Sequence, residues 1–528
     1  MTVFGIDLGT SYSCIVRNDG TGSATPVELL NADGKKFIPS VVTYDKKTGQ
    51  PKVGKTGQAC LLTRPECTKA FVKREMDREF CEKEISVAGT MRKLSPVEAS
   101  ACILKHLFGG ANNVEVGAGR TLTTQAVITI PAKFDEQQRA RTKLAAQMAG
   151  IEVLGLLQEP TAAAIAYDIP AGSTVLVFDL GGGTLDVSIV TNDKGNYKVI
   201  GTPAGDDHLG GMDWDEKLVE LAYQKIGRRP DRSNVREWNK MMRMAENIKQ
   251  ALTENDDVID DDIEGGNILE DEEVEIERSE FETVCQGLLD RCWKVVDKAI
   301  ENAKAQKPNL KIDFFLTVGG SSRMPMIKKG LAARYGAVYG KGKTESDWLR
   351  IKDPDTAIAI GAAKYALMLA TNKTSAKTAE KNFKTIEDKA THSYGIKIKR
   401  DGQVVIKNLV KSSDPILFHN DVTGLKLASE GDSFKAAIYE NSSSGDYAEL
   451  DDLVKVIREQ VFRFNEKKAK GTPVTLSINR DNDGLIKITL ECDKVRQTFE
   501  ANPAELLIDA ETKANIEHSL SLMDQNSL

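Results

Sequence analysis

The sequence is poor in the patterns that mark metal, redox and membrane proteins. Its eight cysteines (Cys14, Cys60, Cys67, Cys81, Cys102, Cys285, Cys292 and Cys492) are scattered, and none forms a C-x-x-C pair. Its five histidines show no H-E-x-x-H. Both absences argue against a metal site built on cysteine or histidine and for unpaired thiols in a reducing compartment. No stretch of about 18 uninterrupted apolar residues exists, so no membrane span is expected. The first residues lack a basic region followed by an apolar run, so no secretory signal is expected. The net charge of −7 leaves no basic excess, which weighs against general nucleic-acid binding. Two nucleotide-binding patterns are absent as well. No G-x-x-x-x-G-K-[ST] occurs, and no strand runs into G-x-G-x-x-G.

What is present suits a soluble globular protein. The chain has 528 residues, 41% hydrophobic and 28% charged, enough for about three or four domains with a sizeable core. Three glycine turns stand out. TVFGIDLGTSYSCIV (2–16) reads as strand, tight turn, strand, with Gly9 giving backbone freedom at the tip. TVLVFDLGGGTLDVSIV (174–190) repeats the pattern, with Asp179, Gly181, Gly182, Gly183 and Thr184 in the turn and Asp186 on the returning strand. The distance between the two D-L-G tripeptides fits successive folds rather than a short repeat, so a duplicated α/β architecture is expected. FFLTVGGSSRMPMIKKGL (314–331) adds a strand, the turn Gly319-Gly320-Ser321-Ser322, and a helix starting near Pro325.

Glycine turns let backbone N–H groups approach phosphate oxygens. Asp7 and Asp179 would repel phosphate directly. They are suited instead to a hydrated Mg²⁺, which prefers oxygen ligands and keeps several waters. Two hairpins would then grip a triphosphate from opposite sides of a cleft.

Seven stretches occur in this order: GIDLGTSYSC, VITIPAKFDEQQR, LLQEPTAAAIAY, VFDLGGGTLDVSIV, GDDHLGGMDWD, VGGSSRMP and DPDTAIAIGAA. Together they resemble the ATPase domain of the seventy-kilodalton heat-shock chaperones, the DnaK-like family, over about residues 1–370. The resemblance implies an actin-like (ribonuclease H-like) ATPase domain of two lobes. It places Asp7 and Asp179 at Mg²⁺ and its waters, with Asp186 beside them. Gly9, Thr10, Ser11 and Tyr12 line the first phosphate turn; Gly181, Gly182, Gly183 and Thr184 line the second, with Gly210 and Gly211 of DHLGG close by. Lys73 matches the lysine that contacts the γ-phosphate and the attacking water, and Glu159 the glutamate near that water. Lys73, Glu159, Asp179, Thr184 and Asp7 form the implied catalytic set. Gly319, Gly320, Ser321, Arg323 and Asp355 match the adenosine pocket, and Glu246, Lys249 and Thr253 its other wall. Pro131 and Arg139 match a pair that relays nucleotide state to the peptide-binding half. Departures from the family pattern are Ser11 for the commoner Thr, Met212 where an acid is usual, Gln250 where Arg or Lys is common, and the very acidic run 256–277, which reads as a solvated β-hairpin edge.

Composition changes near residue 370. TNKTSAKTAEKNFKTIEDKAT (371–391) is polar and lysine-rich and reads as a helix end plus a linker. Only Phe383 and Ile386 look suited to docking, so weak interdomain coupling is expected. Residues 392–500 alternate with period two and carry an Asp-Gly hairpin signal, as expected of a small antiparallel β-sandwich that would bind substrate peptides. Within it, DLVKVIREQVFRFNEKK (452–468) fits helix and strand equally. Residues 501–528 read as a short amphipathic helix, a truncated lid.

The function implied is that of a cytoplasmic ATP-dependent molecular chaperone. It would bind ATP or ADP with Mg²⁺, with K⁺ as a further candidate. Its partners would be unfolded or extended client peptides, a J-domain cochaperone and a nucleotide exchange factor, without nucleic acid or membrane. Two alternatives belong to other classes: a small-molecule kinase on the same fold, and a chaperone-derived binding protein with weak coupling between its halves.

Overall fold

A computed structural model describes residues 2–21, 24–27, 36–259, 273–351, 354–374, 385–387, 392–400, 403–412, 414–415, 418–427, 429–451, 454–481, 483, 485–493, 495–501 and 507–524. Two lobes with the same sheet plan form its first part. In the first lobe, Val3–Asp7 pairs antiparallel with Tyr12–Asn18 and parallel with Gln125–Ile130, which pairs parallel with Glu152–Gln158. In the second, Thr174–Leu180 pairs antiparallel with Leu185–Asp193 and parallel with Phe314–Val318, which pairs parallel with Leu349–Ile351. Thr25–Pro26 and Asn196–Asp206 extend the two hairpins on corresponding sides. Strand order and direction therefore repeat, as the paired D-L-G turns require.

All seven residues of Thr174–Leu180 are buried. A continuous apolar strand of this kind needs cover on both faces, and helices supply it. Their starts are written locally. Ser95 caps Pro96–Gly117 by accepting from the Val97 N–H. A capping box of Asp135 and Gln138 opens Glu136–Met148. Between the lobes, Glu159–Ala166 and Ala357–Thr374 pack on each other. Gly361 allows this close approach, since a Cβ there would sit 1.8 Å from the Ala162 carbonyl oxygen; Gly5 likewise lets the strand Val3–Asp7 approach the second of these helices, where a Cβ would sit 2.1 Å from the Ala363 nitrogen.

The helix Ala357–Thr374 ends within the segment read as a helix end plus a linker. Its residues Thr385–Glu387 form a strand parallel to Asn196–Lys198, so the connection is built into the second lobe's sheet. Phe383 lies outside the described residues, as do 260–272 of the acidic run. The described ends of that run, Asp257–Ile259 and Glu275–Glu277, pair antiparallel.

Residues 393–500 form two antiparallel sheets, of five and four strands. Tyr394, Val410, Ile438, Phe462, Ile478 and Ile488 meet between them. The ambiguous run is a strand, Lys455–Lys468, paired with Gly431–Asn441. The final helix, Ala510–Asp524, lies on the first lobe. Ile508, Ile516, Leu520 and Met523 share a hydrophobic cluster with Leu104, Leu107 and Ile128.

Candidate functional site

Asp7 ends its strand opposite Cys14, and its Oδ1 accepts a hydrogen bond from Thr129 Oγ1 at 3.0 Å. Burial raises its pKa to about 6; the ammonium of Lys73 works against that shift and the charge of Glu159 adds to it. In the second lobe Asp179 stands opposite Asp186 across the hairpin. Burial, Glu159 and Asp186 hold Asp179 well above the usual carboxylate range. Burial and Glu159 push Asp186 up to about 7, and its Oδ1 is buried without a hydrogen-bond partner.

Lys73 reaches this cluster from the turn Val72–Glu75, entered through Phe71 at φ 56°. It forms a buried ion pair with Glu159, the first residue of the helix Glu159–Ala166. Burial alone would pull the Lys73 ammonium down. The charges of Glu159 and Asp7 more than offset it and hold the group protonated. Three buried carboxylates, Glu159, Asp179 and Asp186, and the half-buried Asp7 thus surround one ammonium, an excess of negative charge that a bound cation would relieve. Among the described residues no three His, Cys, Asp or Glu side chains converge as a direct metal-ligand set. Together with the unpartnered Asp186 oxygen, this donor set suits a hydrated Mg²⁺ contacted through water.

The turns around the cluster are joined by backbone bonds. The Gly181 N–H donates to the Thr184 carbonyl at 3.0 Å; those of Gly211 and Met212 donate to Gly181 and Gly182 at 3.0 and 2.9 Å. First and second turns abut. A Cβ on Gly182 would lie 2.1 Å from Ser11 Oγ, and one on Gly183 would lie 2.7 Å from Thr10 Cγ2. Gly9 has no positive φ; its role is space, since a Cβ there would lie 2.0 Å from the Tyr12 carbonyl oxygen. Gly319 does need its freedom, at φ 80°.

The expected adenosine-pocket residues are also brought together. Arg323 pairs with Asp355 at 2.6 Å. Lys249 pairs with Asp215 at 2.6 Å and donates to the Gly211 carbonyl at 3.0 Å. Ser321 Oγ lies 2.4 Å, and Lys249 Nζ 3.0 Å, from where a Cβ on Gly211 would stand. A Cβ on Gly320 would lie 3.2 Å from Asp355 Oδ1. Tyr12 donates across the cleft to Glu246 at 2.9 Å. Thr253 bonds its own helix, donating to the Lys249 carbonyl at 3.1 Å. Gln250 is exposed.

Several contributors carry no local pattern in the sequence. Thr129 seats Asp7. Arg74 donates to the Gly183 carbonyl from the opposite lobe, and only its place beside Lys73 could have flagged it. Arg243 holds Glu246 at 2.7 Å. Lys133 donates to the Gly205 carbonyl at 2.8 Å.

Near Arg139, which the resemblance pairs with Pro131 as a relay, the sandwich meets the first lobe. Arg139 is buried and donates to the Phe134 carbonyl at 3.1 Å. One helical turn earlier, Glu136 Oε1 accepts from the Ile486 N–H at 3.1 Å, and the Glu136 N–H donates to the Tyr394 hydroxyl at 3.3 Å. Asp483 accepts from the Leu156 N–H at 2.8 Å and pairs with Lys143.

Comparison with known proteins agrees with this geometry. The family model described as Hsp70 protein matches residues 3–491. A chaperone protein dnaK from Cyanophora paradoxa is 35% identical over 397 residues, 70% of this chain and 60% of its own length. One from Mycoplasmopsis pulmonis is 37% identical over 381 residues, 70% of this chain and 58% of its own. One from Gracilaria tenuistipitata var. liui is 34% identical over 395 residues, again 70% and 60%. The aligned part of this chain spans about three fifths of the length of these relatives. With its doubled lobes, its three glycine turns and a match over most of its length, the chain belongs to the Hsp70 family.

Proposed function

We propose that this protein binds ATP and ADP between its lobes, hydrolyses ATP, and uses the cycle to control the hold of the sandwich on extended client segments. The observation that carries this is the buried Lys73–Glu159 pair set among Asp7, Asp179 and Asp186. Phosphoryl transfer to water needs positioning and charge neutralisation rather than a covalent nucleophile. Lys73, held protonated, offers donors to the γ-phosphate oxygens and to the attacking water. Glu159 fixes the ammonium and offers an acceptor for that water. Gly181–Thr184 and Thr10–Tyr12 present N–H groups and hydroxyls to the phosphates, and Lys249, Ser321 and Arg323 bracket the adenosine.

Asp7, Asp179 and Asp186 would hold Mg²⁺ through water; the ion would neutralise phosphate charge. K⁺ is a second cation that the same oxygen-rich pocket would admit. The proposed partners are client peptides, a J-domain protein that stimulates hydrolysis and a nucleotide exchange factor, acting in the cytoplasm. Among the described residues no helix is long and apolar enough to cross a membrane.

The test is single-turnover hydrolysis by Lys73→Ala, with ATP binding measured by calorimetry. The chemical step should slow by about 10²–10³-fold, or ~3–4 kcal/mol, while affinity changes much less. Hydrolysis near the parent rate would refute the assignment. Stimulation of turnover by a sugar, and not by peptide or a J-domain protein, would favour a kinase instead.

A further inference from the structure

The C-terminal helix is integrated into the first lobe. One face of it, Thr512, Ile516, Ser519, Leu520 and Met523, is buried. Ile516 is 0% exposed, and Ile508, Leu520 and Met523 are at most 7% exposed. These side chains pack with the helix Pro96–Gly117 and the strand Pro51–Val53. Polar contacts fix the register. Ser519 donates to Glu98 Oε1 at 2.8 Å, and Gln50 donates to the Leu522 carbonyl at 3.1 Å. Glu98 is 0% exposed and also accepts from Tyr44 at 3.0 Å and from Arg92 at 2.6 Å.

The opposite face is polar and exposed: Glu511, Lys513, Glu517, His518 and Ser521. A helix with one apolar face buries it in one place at a time. To cover the sandwich, this helix would have to leave the lobe. That would open the cluster around Ile516 and the fully buried Glu98 to water.

The leash to the sandwich is short. Ala501 is buried in the sandwich core, and Ile508 is buried in the lobe's cluster. Seven residue steps span at most roughly 25 Å. At its other end the sandwich follows the strand Thr385–Glu387, paired with the second lobe.

We propose that the helix Ala510–Asp524 is a permanent part of the first lobe. It keeps the sandwich leashed there in every nucleotide state, and it does not travel between lobe and sandwich. Hydrolysis then loosens the sandwich without freeing it. The proposal rests on the nucleotide cycle above only for the choice of states to compare.

Hydrogen–deuterium exchange on the full chain tests it, without nucleotide, with Mg-ADP and with Mg-ATP. Amides of 511–523 should exchange within threefold of one another in all three samples. A rise of threefold or more in Mg-ADP, in 511–523 or in 98–111, would overturn the proposal. Protection of the turn 181–184 reports nucleotide binding in the same samples. If that protection is missing, the nucleotide site is wrong, while the nucleotide-free exchange still tests the helix: its amides should match those of 98–111 within threefold, and faster exchange would overturn the proposal. Leu520→Ala provides a second readout. It should speed exchange in 98–111 at least threefold; no change there would also overturn the proposal. If that variant does not fold, the parent's exchange decides alone.

Discussion

Asp483 is the clearest lever on the contact between sandwich and first lobe. It sits in the turn between Pro473–Arg480 and Ile486–Cys492 and is 8% exposed. One carboxylate oxygen accepts the buried Leu156 N–H at 2.8 Å; the other pairs with Lys143. Burial pulls the Lys143 ammonium down, but Asp483 more than offsets it and leaves its pKa raised. Asp483→Ala orphans the Leu156 N–H, at about 1–3 kcal/mol. The ion pair adds about 1 kcal/mol, since the Lys143 side chain is 23% exposed and solvent screens it. Together these weaken docking by ~2–4 kcal/mol, roughly 30- to 1,000-fold. Asp483→Asn keeps an acceptor for Leu156 and should cost only ~1 kcal/mol. The assay is exchange of the Ile486 amide, which bonds Glu136 across the same interface and not Asp483 itself. It should accelerate strongly in the alanine variant and little in the asparagine variant. A change under threefold in Asp483→Ala, or equal effects of the two variants, would refute the reasoning.

Three further outcomes follow from the buried charges. Asp186→Asn removes a carboxylate pushed up to about 7 mainly by burial; in EDTA it should raise the melting temperature by roughly 3 °C while ATP turnover falls, and a lowered melting temperature in EDTA would contradict this. Glu136 is pushed up to about 8, chiefly by burial, and Glu440 to about 7 for the same first reason. A freed carboxyl binds its proton more weakly, so docking takes up protons and should weaken as pH rises from 6.5 to 8, by up to about tenfold per unit for one proton. Burial depresses His392, which would act in the opposite sense only at lower pH. Ile486 exchange, corrected for its intrinsic pH dependence, checks the slope, and Glu136→Gln should flatten it. Thr129→Val cuts the bond that seats Asp7; the ATP-to-ADP difference in Ile486 exchange should shrink severalfold, and an unchanged difference would exclude Thr129 from the coupling.

How much of this was legible in the sequence depends on the range of the interaction. The two hairpins follow from local rules, because apolar runs flanking D-L-G specify strand, turn, strand. The shared plan of the lobes then follows from seeing the pattern twice. The pocket residues came through the family resemblance rather than through spacing: Glu246, Ser321 and Asp355 lie far apart in the chain and meet only in the fold. Thr129 and Arg74 were missed for that reason, since nothing near them marks a contact with Asp7 or Gly183. The run 452–468 stayed ambiguous because Val454, Ile457, Val461, Phe462 and Phe464 satisfy both periods. Pairing with Gly431–Asn441 decides for strand, with Phe462 turned into the core. The apolar stripe of the last helix showed that one face would be buried, but a stripe does not name its partner.

The contacts that join the sandwich to the lobes differ in kind, and that difference bears on coupling. Asp483 with Lys143, and Glu136 with Ile486, are polar. Such contacts exchange protein for water at a small net gain, so modest changes in geometry or protonation reset them. The helix Ala510–Asp524 is held mainly by apolar burial, which no small shift reverses. In the proposed cycle, nucleotide state would act through the polar contacts, and the fold provides a short route. Asp7 is bonded to Thr129 on the strand Gln125–Ile130. That strand leads through Pro131 to the capping box of Asp135 and Gln138, which starts the helix bearing Glu136 and Arg139. Thr129 and Glu136 are seven positions apart, so a shift at the Asp7 carboxylate would reach the Ile486 N–H through one strand end and one helix start. On this proposal a sparse linker need not mean a deaf one, because the signal would enter through the lobe surface while the linker strand stays paired with the second lobe.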